Sequence, residues 1–350
     1  MIPIQNIYYM LSYAFQVLQE QGYKNLATES FANTADLCAA ILSKGVSIQI
    51  RRGLGREYIE QTEPLSSLRG RIGITESIRT GSVLKKQMIC SYDSFSVNSR
   101  MNRIIKTTMV LLLSADISGA RKKELRRLLM FFGDIELLDV HTINWDLHYN
   151  RNNQTYQMLI SVCYLVVKGL LQTNSDGTTR LMDFLDEQRM CRLYEKFILA
   201  YYRKEFPGIS AGAYQIPWVV DDGVKAMLPV MQSDIMLTYQ EKVLIIDAKY
   251  YSHTMQTQYD TYTLHSGNLY QIFTYVKNRE AAMKGTPHEV SGMLLYARTD
   301  EAVQPDGTYQ MSGNRISVRT LDLNCDFSEI SAQLDAIAAE HFGNLEKRPV

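Results

Sequence analysis

At 350 residues the chain is longer than most single domains, and two folding units are expected. Its 46% hydrophobic and 21% charged residues exclude a disordered or fibrous chain, and the best apolar run, 159–171, is broken by Ser161 and Lys168 and falls short of the roughly 20 residues that span a bilayer. A net charge of zero conceals an asymmetry: residues 1–180 hold 21 Lys and Arg against 15 Asp and Glu, the remainder 16 against 22, so the first half suits nucleic acid or an acidic partner unless its basic helices are simply solvated.

In chain order, Ile7, Met10, Leu11, Ala14 and Leu18 recur at helical spacing, and no basic segment precedes them as a secretory leader would require. A second helix is expected over 34–42. From 46 to 95 the pattern turns β-rich, with Gly53, Gly55, Pro64, Gly70, Gly73 and Gly81 punctuating short runs. Asn98 is a suitable cap for a helix whose stripe is Met101, Ile104, Ile105, Met109 and Leu112, and further helices are expected near 122–132 and 156–171. The polar stretch 172–179 reads as a linker. Five scattered cysteines, none at zinc-ligand spacing, fit buried thiols in a reducing cytoplasm.

Beyond the linker the order is helix (184–206), strands (213–220, 226–239, 242–250), a polar loop, helix (268–283), strand (290–298), two strands within 307–321 and a closing helix from Ser328. This is a mixed sheet flanked by helices, an α/β class, following an α+β N-terminal half. Gly208-Ile209-Ser210-Ala211-Gly212 has the letters of a nucleophile elbow, but a helix precedes it and a strand follows, the reverse of what that turn needs.

The chemistry concentrates in 233–249. If Gln240-Glu241 is a two-residue hairpin turn, Asp234 stands directly opposite Asp247, with Cβ atoms about 4.5–5.5 Å apart. Lys249, two residues on, projects from the same face as Asp247. The intervening Val243–Ile246 run is continuously apolar, as in a central strand, where facing carboxylates are destabilising unless a cation bridges them. Oxygen ligands of this kind suit Mg²⁺ or Mn²⁺. Lys249 would then orient water and offset charge developing on a phosphate. An ordinary surface hairpin bearing Asp and Lys is the plain alternative.

This arrangement resembles the PD-(D/E)xK nuclease superfamily, in which one acid precedes an acid-x-Lys on the next strand. Asp234 matches the first acid, and Asp247 with Lys249 match the second element; the proline that usually precedes the first acid is replaced by Ser233. Glu195 falls on the helix before the sheet, where many members carry an additional metal-facing acid, although beside Arg192 and Lys196 it also fits a solvated helix surface. Gln271 and Tyr275, one turn apart, match the Gln-x-x-x-Tyr element of RecB-like members, or else polar positions on a helix whose core is Leu269, Ile272, Phe273 and Val276.

Further ordered segments narrow the likeness: Asn6-Ile7-Tyr8-Tyr9-Met10-Leu11, Arg51-Arg52-Gly53-Leu54, Gly70-Arg71-Ile72, Asn102-Arg103-Ile104-Ile105-Lys106, Asp247-Ala248-Lys249-Tyr250-Tyr251 and Asn268-Leu269-Tyr270-Gln271. Together they resemble the McrC family, nuclease subunits of McrBC modification-dependent restriction systems, over nearly the whole chain. The resemblance implies a partner-binding domain at 1–175 and a PD-(D/E)xK nuclease domain at 176–350. It also implies catalytic Asp234, Asp247, Lys249, Glu195, Gln271 and Tyr275, with Mg²⁺ (or Mn²⁺) on Asp234, Asp247 and Glu195. The implied partners are a hexameric McrB-type AAA+ GTPase, double-stranded DNA carrying modified cytosines, and a second nuclease domain; no membrane is involved. GTP would enter only through the partner, since no Gly-x-x-x-x-Gly-Lys-Ser/Thr loop is present. Rival readings are a non-catalytic activator of an AAA+ motor and a stand-alone RecB-like repair nuclease. Within the polar loop, His253 and His265 are possible DNA contacts or solvated residues.

Overall fold

The computed structural model describes residues 2–15, 18, 23, 26, 29, 31–149, 153–176, 187–251, 254–258 and 261–348. They form two compact units: Met1–Thr28 together with Met182–Val350, and Glu29–Leu181. The first helix, α1 (Ile4–Ala14), therefore belongs with the C-terminal unit rather than with the N-terminal half expected from the sequence.

In the unit Glu29–Leu181, α2 runs Thr34–Arg52, ten residues beyond the expected end. The alternation Val46, Ile48, Ile50 imitates a strand, yet Val46 and Gln49 are buried three apart as on a helix, and the helix stops only at Gly53, whose φ of 91° suits glycine. The β-region is accordingly confined to β1 (Glu57–Leu65), β2 (Arg71–Ile72) and β3 (Met88–Ser96), with the short helix α3 (Ile74–Arg79) and a 3₁₀ turn between β2 and β3. β1 and β3 pair antiparallel from Glu57↔Ser96 to Leu65↔Met88, and β2 joins the other edge of β3. No residue of β1 is buried; in the arm that these strands and turns form, burial is confined to Cys90, Ser77 and Ser82, so the ladder holds it together more than a core does.

Three helices complete this unit: α4 (Arg100–Ser114), α5 (Gly119–Leu129) and α6 (Gln154–Asp176). The cap of α4 is Ser99, which accepts from the Asn102 N–H; Asn98, the expected cap, instead accepts from the Glu136 N–H. Leu37, Ile41, Ile104, Met109, Leu159 and Val162 are among its fully buried core residues. Residues 172–176 of the expected linker lie within α6, while 177–179 fall outside the described residues.

The other unit contains α7 (Glu187–Glu205), β4 (Ser210–Gly212), β5 (Gln215–Ile216), β6 (Met231–Gln232), β7 (Ile235–Tyr239) and β8 (Lys242–Lys249). There follow β9 (Gln256–Gln258), β10 (Thr261–Thr263), α8 (Ser266–Ala282), β11 (Glu289–Ala297), β12 (Gly307–Met311), β13 (Asn314–Leu321) and α9 (Phe327–Phe342). A six-stranded mixed sheet has the order β12-β13-β11-β8-β7-β4, with β8, β11 and β13 parallel and β12, β7 and β4 antiparallel to their neighbours. The long strands expected at 213–220 and 226–239 are broken, Pro217 ending the first and Pro229 falling within the second. Ser210 opens the edge strand β4, so no nucleophile elbow forms.

Val243 and Ile245 of β8 pack with Leu294, Ile316 and Val318 beneath Ile272, Tyr275 and Val276 of α8. Leu244 and Ile246 alternate to the opposite face, and α7 and α9 also contact β8. On α7, α1 lays down an aromatic seam: Tyr13 meets Phe197 and Tyr201, and Tyr9 stacks on Phe327 at the start of α9 with centroids 4.5 Å apart. Asn6 donates to the carbonyls of Leu323 and Cys325 (2.9 and 2.7 Å), and Tyr13 to Glu205 (2.7 Å). These bonds explain why the N-terminal segment folds with the C-terminal unit. Among the described residues no helix is long and apolar enough to cross a membrane.

The approach of α8 to the sheet depends on Gly292 of β11. A Cβ there would lie 2.8 Å from Ile272 Cγ1, 2.8 Å from Val276 Cγ2 and 3.0 Å from Ile316 Cδ1. The first two belong to β-branched side chains on α8 with little freedom to yield. Gly292→Ala is expected to destabilise the fold by about 1–3 kcal/mol through overpacking, read as a lower urea midpoint at unchanged slope. An unchanged midpoint would show that α8 does not approach this closely.

Candidate active site

The turn between β7 and β8 is the two-residue Gln240-Glu241, with Gln240 at a φ of 51°, as a tight hairpin requires. Pairing runs from Tyr239↔Lys242 to Ile235↔Ile246. One step further, Asp234 leaves the ladder opposite Asp247. Its carboxylate is held there by the Ala248 N–H, which donates to Asp234 Oδ2 at 3.1 Å. Ser233, which stands just before Asp234, is tied to Tyr214 in three ways. Its N–H and hydroxyl both donate to the Tyr214 carbonyl (3.0 and 3.2 Å), and its oxygen accepts from the Tyr214 N–H (3.2 Å). The residue preceding the first acid is thus anchored by hydrogen bonds.

Asp247 is 1% exposed on the central strand. Lys249 Nζ stands 2.8 Å from its Oδ2 in an ion pair, and Asp247 Oδ1 has no hydrogen-bond partner. Burial pushes the Asp247 carboxyl up to about 7; Lys249 opposes the rise and Asp234 adds to it. For Lys249 burial alone would lower the pKa, but the charge of Asp247 outweighs it and the ammonium is held above its ordinary value. Lys249 therefore stays charged at neutral pH.

From α8, Gln271 Oε1 accepts from Lys249 Nζ at 3.4 Å, and Gln271 Nε2 donates to Tyr275 Oη at 3.0 Å. Asp247, Lys249, Gln271 and Tyr275 thus form one continuous polar chain. Glu195, on α7, accepts from the Cys191 thiol one turn earlier (3.2 Å), and its pKa is raised by burial and then by the neighbouring charge of Asp234. It faces the site but is turned toward its own helix. Among the described residues no three His, Cys, Asp or Glu side chains gather as a ready metal-ligand set. The unpartnered Asp247 Oδ1 beside Asp234 suits a hard cation that keeps much of its shell as water.

Cys191 and Tyr296 stand out by no motif in the sequence, and Asn268 appears there only as the first residue of the segment 268–271, with no site role. Asn268 Nδ2 donates to Tyr296 Oη (3.0 Å), its Oδ1 accepts from Tyr251 (3.4 Å), and Tyr296 pairs with Lys249 in the parallel β8–β11 register. The available signal was spacing: Asn268 precedes Gln271 by three residues and Cys191 precedes Glu195 by four, each one helical turn. His265 caps α8 with its ring edge-on to Tyr251; His253 lies outside the described residues.

Residues 5–297 match the family described as McrBC 5-methylcytosine restriction system component. The type IV methyl-directed restriction enzyme EcoKMcrBC of Escherichia coli K12 is 30% identical over 346 residues, 97% of this chain and 98% of that protein. Among solved structures, a half-complex from a tetradecameric assembly of Thermococcus gammatolerans McrB AAA+ hexamers with bound McrC aligns with a TM-score of 0.45. Its identity is 17%, over 96% of this chain and 76% of that one. The cryo-EM structure of the Thermococcus gammatolerans McrBC complex aligns at 0.36, with 19% identity over 49% and 55%.

The raised Asp247 carboxyl has a consequence for stability. A folded value of about 7 against 3.8 in the unfolded chain means that the native state binds this proton more tightly. Its contribution to stability is complete below the unfolded value and is lost as pH climbs through 7. In metal-free protein, the melting temperature of wild type is expected to fall between pH 5 and 8 more steeply than that of Asp247→Asn. Thermal melts in chelator decide this; parallel pH profiles would refute it.

Proposed function

We propose, from the premise that this chain belongs to the McrBC 5-methylcytosine restriction system component family, that it is the DNA-cleaving subunit of such a system. The reading is of a Mg²⁺-dependent endonuclease of PD-(D/E)xK architecture that works with a hexameric McrB-type AAA+ GTPase on DNA bearing modified cytosines. The observation that carries the nuclease assignment is the buried Asp247, facing Asp234 across the hairpin and paired to Lys249. A carboxylate buried on a central strand with a single lysine as its counter-ion is costly to keep, and such perturbed groups cluster at functional sites.

Asp234 and Asp247 would hold the Mg²⁺, Mn²⁺ being an alternative, with water completing the shell and Glu195 acting at its edge. When bound, the cation supplies Lewis acidity toward a phosphodiester oxygen and polarises water. Lys249, kept protonated by Asp247, offers three N–H directions. One faces Asp247 and one faces Gln271, leaving the third for the scissile phosphate or the attacking water. Gln271, itself tied to Tyr275, fixes the ammonium so that it meets the developing charge without reorganising.

Partner contact is assigned to the unit Glu29–Leu181. Its β1–β3 arm leaves Ile74, Ile78 and Leu84 exposed, Leu84 at 91%, and adds Arg69 over the Tyr92 ring and Arg71 in an open ion pair with Glu60. An exposed apolar surface bordered by arginine is the kind of surface that docks on a protein. Arg51 and Arg52, which fall within the stretch 46–95 read as β-rich, end α2 instead.

Cleavage and motor stimulation should separate. Asp247→Ala and Lys249→Ala are each expected to lower Mg²⁺-dependent DNA cleavage by about 10²-fold or more, leaving stimulation of the partner's GTPase near wild type. Cleavage and GTP turnover measured on the same complexes test this. Full cleavage by Asp247→Ala would sink the nuclease assignment, and parallel loss of both activities would sink the separation.

A further inference from the structure

Both legs of the arm are tied to one buried point. Asn102, fully buried on α4, donates from Nδ2 to the Gly55 carbonyl and to the Val97 carbonyl, each at 2.8 Å. Gly55 lies two residues before β1 and Val97 immediately after β3. Asn102 Oδ1 accepts from Tyr156 Oη of α6 at 2.7 Å, and Tyr156 Oη accepts in turn from the Gly55 N–H at 2.7 Å. A Cβ on Gly55 would lie 3.1–3.2 Å from the Tyr156 hydroxyl and ring, so the ring sits directly against that leg. The amide's donors and the phenol's proton are all committed, and a closed neutral network of this kind is cooperative in a water-poor site.

The arm has little else to set its direction. Gly53 and Gly55 lie between α2 and β1, and only three residues separate β3 from α4. Other side-chain bonds at the root, from the Arg100 N–H to Glu57 and from the Glu136 N–H to Asn98, are exposed, and that from the Asn98 N–H to Ser96 Oγ stays within one leg. We propose that Asn102 and Tyr156 are positioning residues for the arm: they clamp its two legs and set the angle at which it is presented to the AAA+ partner. The proposal rests on the reading that the arm contacts the motor. A presented arm binds without the entropic cost of first being ordered.

The test uses the full chain with Asn102→Asp, which replaces both donors by an acceptor facing two carbonyls, and Tyr156→Phe, which removes only a hydroxyl. Spin labels are carried on encoded amino acids at the exposed positions Ser66, in the arm, and Lys123, on α5, leaving the native cysteines untouched. Both variants are expected to broaden the Ser66–Lys123 distance distribution well below their melting temperatures, where a merely stabilising role would leave it unchanged. Both should also raise the concentration giving half-maximal GTPase stimulation by about tenfold. If Asn102→Asp does not fold, Tyr156→Phe decides alone. A wild-type distribution in the folded variants, or a broadened one with unchanged stimulation, overturns the positioning role, provided that Leu84→Asp at the arm surface impairs stimulation. If Leu84→Asp has no effect while the root variants broaden the distribution, the clamp stands and the arm–motor reading fails.

Discussion

The C-terminal unit is organised around one unfavourable act, the burial of the Asp247 carboxylate on one of the two central strands of the sheet, between β7 and β11. A hydrophobic residue there would extend the Val243–Ile246 run at no electrostatic cost. Instead the strand turns acidic at the point where β7 delivers a second acid. The only cation within ion-pairing distance of Asp247 among the described residues is Lys249, two positions along the same strand. Because the two side chains share a face by strand geometry, the pair needs no help from distant parts of the fold to form. What distant parts supply is confinement. β11 covers one edge, α8 the face, and the Ala248 N–H pins Asp234 in place.

The missing Cβ at Gly292 and the polar stripe of α8 serve the same site from two directions. Gly292 lets Ile272 and Val276 sink onto β11, and this depth sets how far Gln271, one residue before Ile272, reaches toward Lys249. A glycine in the interior of a buried strand is ordinarily a weakness. Here the loss is offset by apolar packing of α8, and the same packing carries Asn268, Gln271 and Tyr275 along the end of β8. Stability and site geometry are therefore coupled through one contact.

Much of the site was legible because its determinants are local. The two-residue turn, the 234/247 opposition and the shared face of Asp247 and Lys249 all follow from a short hairpin whose register leaves no freedom. The extent of α2 was not legible, since Val46, Ile48 and Ile50 satisfy strand alternation as well as a helix buried on nearly every side. Glu195 was placed on the correct helix, but nothing in its spacing showed that Cys191 would take its carboxylate. Neither Asn6, bonded to carbonyls more than 300 residues away, nor Asn102, bonded to both legs of an arm, carries any periodic signal. Local pattern reports which elements form; it does not report which of them meet.

The position of α1 bears on what a functional half of this chain can be. α7, which carries Glu195, is flanked along Phe197 and Tyr201 by Tyr13 and Phe327, and its last turn is bonded through Glu205 to Tyr13. Removing α1 would expose an aromatic seam on the helix that presents an acid to the site. The chain therefore begins in one unit, builds the other, and returns, crossing near residue 28 and again near 181. A boundary read from composition alone separates α1 from its packing partners, because a linker signature marks only where the chain leaves a unit and not where it entered.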